Sequence, residues 1–266
     1  MKKLMLVLNG MHIPMHVLQF AMDTAKKNGY GIEALFLHEE QSQDLGYPFP
    51  NDLALTSETV TSETLAEEQQ KLLADNIQFI EHECSIANVP CSIQQRVTLR
   101  ELVQISASAD LLLVDTKATF QNFELNDLFT DAECPVCSVA ETAAQLKHIV
   151  FAFDGSEGSQ YAIRKFAALF PNLPEADVHL VSVDTDNGKH TEFINDWLTP
   201  QYSSLSMHLL SGNEKDALID FLRQYPDDAL VVMGAFGRSA LSRLFHPSLA
   251  TAVLFNTRLS LFLAHE

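Results

Sequence analysis

The chain has 266 residues, 47% hydrophobic and 20% charged, which suits a soluble globular protein of one large or two ordinary domains. Its formal charge of −18 leaves no basic cluster for a phosphate backbone, which argues against nucleic acid. No apolar run approaches the roughly 20 residues that span a bilayer, which argues against a membrane protein.

The first residues, Met1 to Gly10, carry Lys2, Lys3 and an apolar run, as a secretory leader does. The run is only about five residues, short of the roughly 7–15 of a leader, so Lys3 to Leu8 reads as a first strand. Val17 to Lys27 has helical apolar spacing at Val17, Leu18, Ala21, Met22 and Ala25, and Asn28-Gly29 stops it. Gly31 to Leu37 is a second strand, and residues 41–57, with Pro48 and Pro50, read as a loop. Ser57 to Ala87 is acidic and periodic, with helix-start signals around Thr61, Ser62 and Thr64, and predicts a long surface helix. Cys91 to Val97 alternates like a strand, Leu99 to Ser108 is helical, Leu111 to Val114 is a buried strand, and Cys134 to Ala140 is the last strand of this half.

From Leu146 the same programme restarts. Strands are predicted at 149–153, 178–183, 205–210, 229–233 and 259–264, with helices at 159–170, around 191–198, and at 214–224 and 248–256. Alternation of strand and helix argues parallel sheets with right-handed crossovers. A repeat of about 130–145 residues predicts two copies of one domain, residues 1–143 and 147–266. The acidity is uneven: residues 1–146 hold 8 basic and 21 acidic residues, a net −13, against 9 and 14, a net −5, in the rest. Solubility accounts for it.

Two stretches of the second half carry chemical signals. In IVFAFDGSEGSQYAIRKFAALF, residues 149–170, a buried strand ends in the turn Asp154-Gly155-Ser156 before a helix. In VMGAFGRSALSRLFHPSLATAV, residues 232–253, a strand end turns through Gly234 and Gly237, passes Arg238 and Arg243, and reaches a helix start at Pro247-Ser248. Glycines after a strand let backbone approach a ligand, and a helix N-terminus favours an anion. A Gly-x-x-Gly after a strand is also an ordinary tight turn.

Together the two stretches resemble the universal stress protein family. Its opening strand ends in Asp-x-Ser, here Asp154-Gly155-Ser156. Its later pattern is Gly-x-x-Gly, nine residues, then Gly-Ser or Gly-Thr; here Gly234 and Gly237 fit, and Pro247-Ser248 replaces the third glycine. The resemblance implies an α/β fold of two tandem domains, each a five-stranded parallel sheet with helices on both faces, adenine nucleotide alpha hydrolase-like and Rossmann-like. It implies that the last strands, 136–140 and 259–264, pair across the two domains as an intrachain pseudo-dimer, with a homodimer as a further option. It also implies ATP or another adenine nucleotide, with Mg as an accompanying ion, at the carboxyl ends of the strands. Asp154 would meet ribose and adenine, Ala152 and Val183 would line the base, Met233 and Gly234 would border the ribose, and Gly237, Ser248 and Leu249 would face phosphates.

The departures matter. Pro247 removes one N–H donor and fixes φ, although proline beside a helix start is also ordinary punctuation. In the nucleotide-binding reading, Arg238 and Arg243 offset the lost donor by pairing with phosphates and His246 adds pH-dependent charge, although such arginines are more often solvated. In the first half, Asn9-Gly10-Met11 stands where Asp-x-Ser would, and Asp115-Thr116-Lys117-Ala118 stands where the glycines would. Asp115 places a negative charge where a phosphate would sit, so this half reads as a copy that kept the fold and lost the site. His12 and His16 read as solvated or pocket histidines rather than metal ligands, because Pro14 lies between them.

Four cysteines complete the inventory. Cys134-Pro135-Val136-Cys137 enters a strand rather than a helix, which favours a structural over a redox role, and in the resembled family Cys-Pro-Val commonly begins the last strand. Cys84-x6-Cys91 is not a usual zinc half-site. No nucleophile–base pair or metal cluster is visible in the sequence, which argues against a dedicated enzyme. The expected function is a cytoplasmic stress-response protein whose second domain binds an adenine nucleotide as a regulatory ligand. The alternatives are a nucleotide-free scaffold or interaction protein, and a pocket repurposed for another small metabolite.

Overall fold

The structure is a computed structural model. It describes residues 1–9, 12–37, 62–118, 125–143, 146–172, 176–183, 193–202, 204–225, 228–234 and 247–265. The first half runs β1 (Lys3–Leu8), α1 (Met15–Asn28), β2 (Gly31–Leu37), α2 (Ser62–Ala87), β3 (Cys91–Val97), α3 (Leu99–Ser106), β4 (Leu111–Asp115), α4 (Leu125–Asp131) and β5 (Val136–Val139). The second runs β6 (His148–Ala152), α5 (Glu157–Leu169), β7 (Asp177–Val183), a π-helical turn (Phe193–Leu198) continued by α6 (Thr199–Gln201), β8 (Leu205–Leu210), α7 (Glu214–Leu222), β9 (Ala229–Gly234), α8 (Pro247–Asn256) and β10 (Ser260–Ala264).

The strands form one ten-stranded sheet in the order β3-β2-β1-β4-β5-β10-β9-β6-β7-β8. Each half contributes five strands, all parallel within the half. The halves meet where β10 pairs antiparallel with β5, Leu261 opposite Ser138 and Phe262 opposite Cys137. The expected pairing of the last strands is therefore present, and it turns the two expected sheets into one. The seam is buried: Ala140 N–H donates to Ser260 Oγ at 3.0 Å, and Ser138 and Ser260 are both inaccessible.

Near-continuous apolar strands such as β1, β4 and β9 require cover on both faces, and alternate residues supply two cores. Leu4, Leu6, Ile149, Phe151 and Phe262 pack under α1, α2, α5 and the π-helical turn. Met5, Val7, Val150, Val231 and Leu261 pack under α3, α4, α7 and α8. On the first face the halves touch directly: Phe20 meets Phe170 at 6.0 Å between ring centroids, and Tyr30 donates its hydroxyl to the Leu169 carbonyl at 3.1 Å.

Several boundaries differ from those read from the sequence. α1 begins at Met15, directly after Pro14, whose extended backbone starts the helix two residues before the apolar repeat does. α5 begins at Glu157 because Ser156 caps it, its Oγ accepting from Ser159 N–H at 3.1 Å. β5 begins at Val136, so Cys134 precedes the strand. The helix expected around 191–198 is the π-helical turn. α4 was not expected: its only apolar anchors are Leu125, Leu128 and Phe129, set among Asn, Asp and Thr of weak helix propensity. The predicted residues 57–61, Gly237, Arg238, Arg243 and His246 lie outside the described residues, as does the loop at 41–57. Among the described residues no helix is long and apolar enough to cross a membrane.

Candidate functional site

In an open parallel sheet, ligands enter at the carboxyl ends of the strands where strand order reverses. In the second half that point lies between β6 and β9, which pair in register from His148 opposite Ala229 to Phe151 opposite Val232. The chain leaving β6 reaches Asp154, and the end of β9 is Met233-Gly234. Topology thus brings together two stretches about 80 residues apart in sequence.

A shallow cleft with about 10 Å³ of free interior opens there, lined by Ala152, Val183, Met233 and Leu249 together with Phe153 and Glu214. Four of the residues expected to meet a nucleotide therefore share one concavity. Its walls are apolar, which suits a planar ring. That volume is far below the roughly 300–1,000 Å³ of small-molecule sites, so a ligand would lie on this apolar surface rather than inside a formed pocket.

Asp154 stands beside the cleft, half-buried, and its conformation is fixed locally. Its Oδ1 accepts from Ser156 N–H at 2.9 Å, closing a turn in which Gly155 has φ 78°, a backbone that side chains disfavour. Gly234 has a different reason to be glycine. A β-carbon there would lie 2.6 Å from the carbonyl carbon and oxygen of Gly158 and 2.9 Å from the Ser159 nitrogen. The end of β9 runs directly against the first turn of α5, and only hydrogen fits. Pro247 is the first residue of α8, matching its reading as helix punctuation, and Ser248 follows it. Leu249, one turn in, is buried against the cleft.

Glu214 escaped the sequence reading. It follows the cap Asn213, whose Oδ1 accepts from Lys215 and Asp216 N–H groups at 3.1 and 3.2 Å, so in sequence it is an ordinary first-turn acid. Only the topology shows that α7 starts at the cleft. Its carboxylate brings an acceptor to the mouth, suited to the amino group of a base or the hydroxyls of a sugar and unsuited to a phosphate.

The equivalent point of the first half lies between β1 and β4, and it is occupied from within. Asp115 ends β4, and His16 Nε2 lies 3.3 Å from Asp115 Oδ1 and 3.2 Å from the Val139 carbonyl oxygen. Lys117 N–H donates to the same Asp115 oxygen at 2.9 Å, and Lys117 Nζ pairs with Glu141 at 2.8 Å. His16 is thus a strand-end tie. His12 is exposed, its N–H donating to Asn9 Oδ1 at 3.3 Å.

A row of histidines also escaped the sequence reading. His148, His179 and His208 come from adjacent strands β6, β7 and β8. His179 Nε2 lies 3.3 Å from His148 Nδ1, and His179 Nδ1 lies 3.2 Å from His208 Nε2. The Tyr225 and Phe221 rings pack on them. Burial first, then the two neighbouring imidazoles, hold the His179 pKa below its ordinary value. The two nitrogens of His179 face opposite neighbours and do not converge on one ion. Among the described residues no group of three or more His, Cys, Asp or Glu is arranged to hold a metal.

The chain is similar in structure to a universal stress protein from Archaeoglobus fulgidus DSM 4304, with a TM-score of 0.68 over 99% of this chain and 98% of that one, at 13% sequence identity. It also aligns with the cytoplasmic domain of a prokaryotic cation chloride cotransporter, with a TM-score of 0.47 over 98% and 94% of the two chains, at 12% identity. No protein-family model and no curated protein matches the sequence. The fold is that of universal stress proteins: the first alignment runs through both halves and the seam between them.

Proposed function

We propose that this chain is a universal stress protein-like, cytoplasmic stress-response protein that binds one adenine nucleotide, ATP, ADP or AMP, in its second half as a regulatory ligand. One observation carries the reading. The apolar cleft of Ala152, Val183, Met233 and Leu249 lies at the strand-order reversal beside a locally fixed Asp154, while the matching point of the first half is closed by His16 and Asp115. Adenine packs on the apolar surface of the cleft. Asp154 accepts from the ribose hydroxyls, and Glu214 accepts from a hydroxyl or the exocyclic amine. The phosphates leave the cleft toward the N-terminus of α8, a ten-residue helix whose dipole favours them, and Mg²⁺, when present, accompanies the phosphates rather than the base. The nucleotide is held, not turned over as a dedicated substrate.

A second reading has its own observation. The close approach of Gly234 to Gly158 accounts for this glycine by packing alone. That supports a nucleotide-free scaffold that keeps the fold for a protein partner. Mass spectrometry of gently purified, then denatured protein separates the two. A co-purifying adenine nucleotide that is absent from Asp154→Ala supports the first reading. No nucleotide, with no heat on titration with ATP, ADP or AMP, supports the second.

A further inference from the structure

Successive side chains of a strand point to opposite faces, and β7 uses both near its end. Val181 and Val183 face the cleft of Ala152 and Met233, while Leu180 and Ser182 face the other side of the sheet. On that side lies a second cavity of about 240 Å³, between β7, the edge strand β8 and the π-helical turn. Leu180 stands opposite Met207 and Ser182 opposite Leu209, so these four form its floor. Ile194 and Asn195 of the turn form its wall.

The wall is held in place. Phe193 stacks on Phe153 with 5.6 Å between ring centroids and on Trp197 with 5.3 Å, and Arg164 lies 5.4 Å over both the Phe193 and the Trp197 ring. The Thr199 hydroxyl donates to the Ile194 carbonyl at 2.8 Å. Single π-helical turns are rare and gather at functional sites. The cavity itself carries unmet demands. Ser182 is 7% exposed, yet among the described residues its hydroxyl has no hydrogen-bond partner, and neither has the Asn195 amide. A buried polar group without a partner is uncommon and destabilising. Met207 and Leu209 are 66% and 60% exposed, apolar surface side by side that a ligand would remove from water.

We propose that this cavity binds a small, uncharged, mainly apolar ligand whose one hydroxyl or carbonyl group pairs with Ser182 and Asn195. No Asp, Glu, Lys or Arg among the described residues lines it, so a charged ligand would lose hydration without gaining a partner. An apolar cavity of about 150 Å³ takes benzene, so about 240 Å³ takes a substituted ring the size of a simple phenol. The thioether of Met207 adapts to the ligand's outline at the open side. The site stands whether or not the cleft across β7 holds a nucleotide, because the two take side chains from opposite faces of the strand.

NMR of the full-length protein, labelled with carbon-13 at the methionine methyls, tests this. The probes are p-cresol and toluene, which differ only in the hydroxyl. The Met207 signal, identified by its loss in Met207→Leu, is expected to shift saturably with p-cresol, while Met15, 49% exposed on α1, does not shift. Ser182→Ala removes the hydroxyl at nearly constant volume. It is expected to weaken p-cresol about fivefold, the equivalent of one neutral hydrogen bond, and to leave toluene binding unchanged. Asn195→Ala, at an exposed position, gives the same split if the buried substitution disturbs folding. Unsaturating shifts of equal size at Met207 and Met15 overturn the proposal. So does an affinity for p-cresol that neither variant lowers.

Discussion

A β-carbon at position 234 would sit 2.6 Å from the backbone of Gly158, and strand β9 cannot retreat without disturbing its pairing with β6 and β10. Gly234→Ala is expected to destabilise the protein by about 1–3 kcal/mol, as overpacking does, seen as a lower urea midpoint. An unchanged midpoint would mean that the strand and helix lie further apart. His179 gives a prediction with a sign. Its folded pKa lies below the ordinary value of about 6.5 because burial and then His208 and His148 disfavour its charge, against Asp177, which favours it. Tyr225 and Phe221 pack on the row without supplying charge at neutral pH. The unfolded chain then takes up a proton that the folded chain resists. The contribution is intact above about pH 6.5 and is lost as pH falls below it. Urea midpoints measured from pH 8 downward should drop less steeply in His179→Gln than in wild type. Parallel profiles would contradict the assignment.

At the scale of elements, the seam between β5 and β10 joins the halves, and the hydroxyls of Ser138 and Ser260 bond the facing backbone across it. Ser260→Ala would leave the Ala140 N–H buried without its acceptor, costing about 1–3 kcal/mol. Equilibrium unfolding checks it, and a cost near zero would place that N–H in another bond. The strands were the legible part of this protein, because runs buried on both faces stay apolar throughout, as Lys3–Leu8 and Ala229–Gly234 do. α4 was illegible because a short helix held by Leu125, Leu128 and Phe129 against a sheet needs tertiary packing more than propensity. The site was legible as two motifs. Asp154 and Gly234 stood out by spacing, but Glu214 and the histidine row did not: their neighbours come from strands and helices distant in sequence, and no local period records them.

For the whole molecule, one continuous sheet and a core shared across the seam predict one unfolding event. Phe262 of β10 packs on Phe166 and Phe170 of α5, and Phe170 in turn meets Phe20 of α1. Calorimetry should give a single transition with matching calorimetric and van't Hoff enthalpies. Two separated transitions would show that the halves fold independently. The fold is also asymmetric in use: one strand-order reversal carries an apolar cleft and the other an internal His16–Asp115 tie. The most direct test of that asymmetry is the stoichiometry of nucleotide binding by calorimetric titration with ATP, ADP and AMP. The account predicts one site per chain, weakened about tenfold or more by Asp154→Ala, the loss of roughly one charge-assisted hydrogen bond, and unaffected by Asp115→Asn. Two sites per chain, or one site abolished by Asp115→Asn and indifferent to Asp154→Ala, would contradict it.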